Sequence, residues 1–219
     1  MPDRAGREPL AGPLRLGVIP TIGAYVIPGA LRGLARKFPK LRLYLREEQT
    51  AALLQKLDQG ELDLALIALP YDTGDLETMD LAPDRILAAL PKGHPLADAK
   101  RIDPADLADE ELLLMEDGHC LRSHALQACR LSRPGRNEVF QGTSLRTLLQ
   151  MAAGGIGLTL MPEMAVAAEI TPGSGLVARP LAGDPIRTIA LAWRKSSARK
   201  GEFRLLGAHL KSVLEKRAA

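Results

Sequence analysis

Leu64-Ala65-Leu66-Ile67-Ala68-Leu69 is a run of six apolar residues with no polar position on either alternate face. A strand with one solvated face alternates in character. One covered on both faces, as in a parallel sheet flanked by helices, does not. Working back from it, Gly60 stands where a helix from Thr50 to Gln59 would end, because glycine takes the left-handed turn after a helix at least cost. Before that helix, Leu41 to Leu45 reads as a strand with alternating charge, running out into Arg46-Glu47-Glu48-Gln49. Pro39 breaks a helical pattern from Ala24 to Lys37, and Leu14 to Ile19 reads as a buried strand followed by the loop Pro20-Thr21-Ile22-Gly23. The result is a βαβαβ unit, whose right-handed crossovers demand a parallel sheet.

Working forward, the pattern restarts. Strands are expected at Arg85–Leu90, Leu112–Met115, Val139–Gln141, Leu158–Met161 and Ile186–Trp193. Helices are expected at Cys120–Arg130, from Ser144 as cap through Ala153, after Pro162, and over Glu202–Lys216. The simplest assembly is α/β, with two Rossmann-like lobes. Residues 1–13 read as a linker remnant, 14–82 with 189–219 as the first lobe, and 83–188 as the second. The chain then crosses twice, near Ala82 and near Thr188. In such folds ligands lie at the carboxyl ends of the strands, so a cleft between the lobes is the expected site.

Composition narrows the functional classes. The longest apolar stretches are strand-sized, far short of a membrane helix, and the amino terminus has charge but no apolar core of a secretory signal. A cytoplasmic protein with no membrane contact is expected. Net charge is only +3 and aromatics are 3%, which argues against a base-stacking surface. The basic carboxy-terminal segment, from Arg194 to Arg217, reads more readily as the solvated face of a helix than as a nucleic-acid patch. Cys120 and Cys129 have no matching His or Cys cluster, so no metal site is expected, and nothing points to a cofactor.

The chemistry concentrates in Glu116-Asp117-Gly118-His119-Cys120-Leu121-Arg122-Ser123, which continues to Cys129. Asp117-Gly118 is a turn after a buried strand, and the helical pattern begins at once. Cys120 therefore falls in the first helical turn, where orphan N–H groups and the helix dipole favour an anion, with His119 and Arg122 as possible positive neighbours. That placement suits a reactive thiolate, while an inert cysteine packed as a small apolar residue fits the same local chemistry. Nine residues of helix turn through roughly 900° and rise roughly 13 Å, whereas a disulfide needs Cα atoms within about 7 Å. If the segment is helical, the two cysteines bond only after it unwinds, and a disulfide here would be a conformational switch.

The stretch Gly118-His119-Cys120-Leu121-Arg122 with Cys129 nine residues on resembles the peroxide-sensing members of the LysR-type transcriptional regulators. So do Gly17-Val18-Ile19-Pro20-Thr21, Phe38-Pro39-Lys40-Leu41, Glu48-Gln49-Thr50, Thr143-Ser144-Leu145 and Arg187-Thr188-Ile189. The resemblance covers about residues 14 to 217 and implies a regulatory domain of the periplasmic-binding-protein type, a sensor and not an enzyme. It implies that hydrogen peroxide oxidises Cys120, the peroxidatic residue, to a sulfenic acid that Cys129 resolves as a disulfide. Thr21, Thr50, His119 and Arg187 match the polar and basic residues around that thiol. Taken singly, each threonine is more often just a helix cap. Ser123 stands where relatives carry an acid. The resemblance further implies a homodimer through this domain, a homotetramer in the full-length protein, and DNA binding only through a winged helix-turn-helix that is missing here. Rival readings are a LysR-type or solute-binding domain that takes a small anion in the same cleft, with incidental cysteines, and a thiol peroxidase.

Overall fold

The computed structural model describes residues 8–129 and 138–218. These form two compact units, one from residues up to Ala82 together with those from Thr188 onward, the other Pro83–Arg187. The first unit opens with β1 (Gly12–Val18), α1 (Pro20–Lys37), β2 (Leu41–Glu47), α2 (Thr50–Asp58) and β3 (Leu64–Leu69). Strand β4 (Leu76–Pro91) leads out of it. The second unit holds β5 (Leu112–Met115), α3 (Cys120–Ala128), β6 (Glu138–Gly142), α4 (Leu145–Ala153), β7 (Leu158–Pro162), α5 (Val166–Glu169) and β8 (Leu176–Pro180). Strand β9 (Ile186–Arg194) leads back, and α6 (Lys200–Ala218) closes the chain.

In the first unit β1 lies parallel to both β2 and β3, in register Val18 with Glu47 and Val18 with Leu66, as the crossovers require. β3 is buried through its first five residues, and β9 runs antiparallel beside it, Leu66 opposite Leu191. The core beneath is Leu16, Ile22, Val26, Leu53, Leu57 and Leu206, with Trp193 and Phe203 in tilted contact at 5.9 Å between ring centroids. Helix α2 stops as its sequence demands. Gly60 takes φ +78°, its N–H bonds Leu57 O at 3.1 Å, and the next N–H, of Glu61, bonds Lys56 O at 2.9 Å. That pair of bonds is the Schellman closure, which satisfies carbonyls the helix leaves open.

In the second unit β5 is parallel to β6 and β7, while β4 is antiparallel to both β7 and β8. All four residues of β5 are buried, and Thr159 Oγ1 donates to Leu113 O at 2.6 Å across the β5–β7 pair.

Several boundaries differ from expectation. α1 starts at Pro20, four residues early, because proline's fixed φ suits the first helical position. β1 begins at Gly12 and Leu10 is fully buried, so the supposed linker already joins the fold by residue 10. β4 reaches back to Leu76; its first half is mostly half-buried or exposed, with only Leu81 buried, and so reads as loop. β8 was not anticipated. Pro162 ends β7 and does not itself open the expected helix: a single 3-10 turn, Glu163–Ala165, comes first and runs directly into α5. Ser144 occupies the cap position of α4 but makes no side-chain cap bond. Arg130, the expected end of α3, lies outside the described residues. Among the described residues, no helix is long and apolar enough to cross a membrane.

Candidate redox site on the third helix

Strand β5 delivers the chain into Glu116-Asp117-Gly118. Gly118 takes φ +93°, a left-handed conformation that any Cβ would strain, and this turns the chain sharply into α3. His119 occupies the cap position with extended backbone, so Cys120 is the first residue of the helix. The residue therefore falls in the first turn, at the positive end of the helix dipole. Cys120 is 4% exposed, and Cys129, the residue that ends the helix, is 5% exposed. Both are thiols, with no disulfide between them. With α3 continuous from Cys120 to Ala128, the rise between the two is roughly 13 Å, about twice what a disulfide spans. Burial pushes the Cys129 thiol up to about 11.

His119 is buried, with Nε2 3.6 Å from Glu116 Oε1. Arg122 is buried too, and its guanidinium reaches back to the strand: Nη1 donates to Met115 O at 3.0 Å and Nε pairs with Asp117 Oδ1 at 2.9 Å. Arg122 is thus more than a loose positive neighbour of the thiol; it ties α3 to the end of β5. This fork was not legible in the sequence, although an arginine five residues after an Asp-Gly turn's acid offered a signal.

Arg187 is fully buried at the start of β9, and its Nε donates to Asp84 Oδ2 at 2.9 Å. Asp84 is itself buried, and its other oxygen accepts the Met164 N–H at 3.0 Å. Burial holds the Asp84 carboxyl above the usual carboxylate range, against the opposing pull of Arg187 and of the Met164 N–H. Sequence reasoning missed Asp84. Its signal was a lone acid at the entry to an apolar strand, with a lone arginine at the entry to another. Ile86 stands opposite Pro162, and its N–H bonds Pro185 O at 2.8 Å. The Asp84–Arg187 pair therefore lies at the end of the sheet where β5, parallel to β7, delivers α3.

The other two expected site residues lie in the first unit. Thr21 is the second residue of α1 and Thr50 the first of α2, 3% and 0% exposed. The cap positions belong to Ile19 and Gln49, neither making a side-chain cap bond, so neither threonine is a helix cap. Ile19 N bonds Leu66 O and Glu48 N bonds Val18 O, both at 3.2 Å, which gathers the ends of β1, β2 and β3 on one rim. Thr50 Oγ1 is buried there with no hydrogen-bond partner among the described residues.

The LysR substrate binding domain family matches residues 7–215. This chain belongs to that family. As a LysR-type domain it is 38% identical over 216 residues to the hydrogen peroxide-inducible genes activator of Dickeya chrysanthemi, covering 97% of this chain and 71% of that protein. To the DNA-binding transcriptional dual regulator OxyR of Escherichia coli K12 it is 38% identical over 209 residues, covering 95% of this chain and 68% of the relative. The chain thus spans about two thirds of the length of such relatives, 66% in the case of the Pectobacterium carotovorum activator. Among solved structures, the reduced form of the OxyR2 regulatory domain from Vibrio vulnificus superposes with TM-score 0.86 at 34% identity, covering 96% of this chain and all of that one. The two-lobed α/β fold expected from the sequence is the fold of this LysR-type family.

Proposed function

We propose that this LysR-type domain is the redox sensor of a transcription regulator that answers hydrogen peroxide. The observation that carries the reading is the placement of the only two cysteines at opposite ends of one short helix, both buried as thiols. In the first step the Cys120 thiolate attacks one peroxide oxygen. The O–O bond breaks, the sulfur is oxidised to the sulfenic acid, and the departing hydroxide takes a proton to leave as water. In the second step the Cys129 thiolate attacks the Cys120 sulfur and displaces hydroxide, which leaves as a second water. The sum is two thiols and one peroxide to one disulfide and two waters. Because the wound helix holds the thiols apart, the second step requires α3 to open, and that change of shape is the signal.

His119, Thr21, Thr50 and Arg187 would serve the first step. Threonine hydroxyls both donate and accept, which suits holding a peroxide, and the arginine charge favours the anionic sulfur or the departing oxygen. DNA contact belongs to a further domain of the whole protein, which would act as a dimer through this domain and as a tetramer at full length. The names of the relatives, hydrogen peroxide-inducible genes activators among them, support the reading.

Mass spectrometry of alkylated protein before and after a brief stoichiometric peroxide pulse tests it. A Cys120–Cys129 disulfide within one chain is the expected product. Two thiols still alkylated after the pulse would remove the sensor reading and favour a small-anion effector domain. Sustained turnover with a thiol reductant would point to a peroxidase.

A further inference from the structure

Arg122 stands between the two cysteines, two residues after Cys120, yet its side chain leaves the helix and grips the strand before it. The guanidinium is a planar fork, and here its limbs are divided: Nη1 on Met115 O at 3.0 Å and Nε on Asp117 Oδ1 at 2.9 Å. The Arg122 N–H also bonds His119 O at 3.0 Å, so the same residue closes the first turn of α3. The Arg122 side chain is 8% exposed while that of Asp117 is 88% exposed, so the bond to Met115 is shielded from water and the carboxylate limb is open to it.

We infer that Arg122 is a positioning residue for the redox couple: it holds α3 wound in the dithiol form and so sets how strongly the protein resists disulfide formation. The inference rests on the sensor reading above. Cys120 is buried on the same turn that Arg122 anchors, so its sulfur meets an incoming thiolate only when that turn lifts from β5. The Arg122 bonds therefore exist in the dithiol form and are surrendered in the disulfide form. Whatever they contribute is subtracted from the disulfide's stability. A lysine cannot replace the fork, because an ammonium is a point charge and lacks two fixed donors aimed at separate acceptors. Burial of Cys129 acts in the same direction, since a protonated thiol is a poor nucleophile until the helix opens.

The test is thiol–disulfide equilibration of the protein in buffers of reduced and oxidised glutathione, read by alkylation and mass spectrometry. The chains compared are the unmodified protein, Arg122→Met, Arg122→Lys and Asp117→Asn. In Arg122→Met the ratio of squared reduced to oxidised glutathione needed for half-reduction should rise at least tenfold, a potential about 30 mV more negative. Arg122→Lys should fall between it and the unmodified protein. Asp117→Asn, a change at an exposed position, should shift the ratio roughly threefold in the same direction by removing the charge that one limb grips; it decides the matter if Arg122→Met does not fold. A ratio within twofold of the unmodified protein in both Arg122→Met and Asp117→Asn would overturn the role of Arg122 and leave the sensor reading standing. Failure of the unmodified protein to form the disulfide at any ratio would overturn both.

Discussion

Asp84 Oδ2 and Arg187 Nε lie 2.9 Å apart in the interior of the unit that carries the cysteines, and the two residues are unequally able to survive without each other. Arginine keeps its proton in any protein environment, whereas a buried carboxyl can neutralise by taking one up, and burial already pulls Asp84 that way. Asp84→Ala takes the carboxylate partner away from a guanidinium that is fully buried and cannot neutralise, and should cost about 3–5 kcal/mol. Arg187→Ala should cost less, with the lost stability partly restored at mildly acid pH as Asp84 protonates. Urea unfolding of both variants at two pH values decides it; equal losses, independent of pH, would contradict the asymmetry.

The thiol of Cys129 supplies a second expectation. Its folded value, about 11, lies above the ordinary 9.0, so the folded chain holds this proton more tightly than the unfolded one. The corresponding stability is fully present below about pH 9 and is lost as pH rises through 11. The full loss is on the order of 2 to 3 kcal/mol at about 1.4 kcal/mol per pH unit. Cys129→Ser should flatten the curve over that window, and unfolding midpoints measured from pH 8 to 11 on both chains would reveal whether it does.

Thr50 offers a case in which stability and function should part. Its hydroxyl is buried and unpaired among the described residues, a state that costs rather than stabilises. Thr50→Val should leave the fold as stable as before or more so, by up to about 1 kcal/mol. If the hydroxyl serves peroxide, the same change, like Thr21→Val, slows oxidation at least tenfold, about 1.4 kcal/mol in barrier. Stopped-flow oxidation and thermal unfolding on one preparation separate the two effects. A Thr50→Val variant that is both less stable and as fast as the parent would reverse the assignment.

The two cysteines should also separate by substitution. Cys120→Ser should abolish rapid peroxide consumption, while Cys129→Ser consumes one equivalent and halts at the sulfenic acid. A dimedone-type probe that labels Cys129 instead of Cys120 would exchange their roles.

How far the sequence could be read depended on where the deciding forces act. Leu64–Leu69 and Leu112–Met115 were legible to the residue, because continuous apolar character bounded by charge or turn residues permits little else. Gly60 was equally plain, since only a helix end explains it. β8 escaped notice because Leu176-Val177-Ala178-Arg179-Pro180 is short, ends in proline and owes its form to β4, almost ninety positions earlier in the chain. The cysteines announced themselves by rarity and spacing. The threonines were singled out through resemblance alone, and their departure from the cap positions needed backbone coordinates. Asp84 with Arg187, and Arg122 with Met115, are partnerships between residues that look ordinary one at a time; only the folded chain brings their polar atoms together.

Burial of Cys120 has one more consequence, for which oxidants the protein can distinguish. Cys120 is only 4% exposed, so a small oxidant should reach its sulfur more readily than a bulky disulfide, which would have to wait until the surrounding helix lifts away. On the sensor reading, the fold around Cys120 would then work as a sieve, choosing by size before chemistry begins. Peroxide, on that reading, would react without waiting for the helix to open, whereas glutathione disulfide or an aromatic disulfide reagent would react only at the rate of opening. Such a filter would keep the dithiol silent amid the many slow disulfide exchanges of its surroundings, with no side chain needed to recognise and reject them.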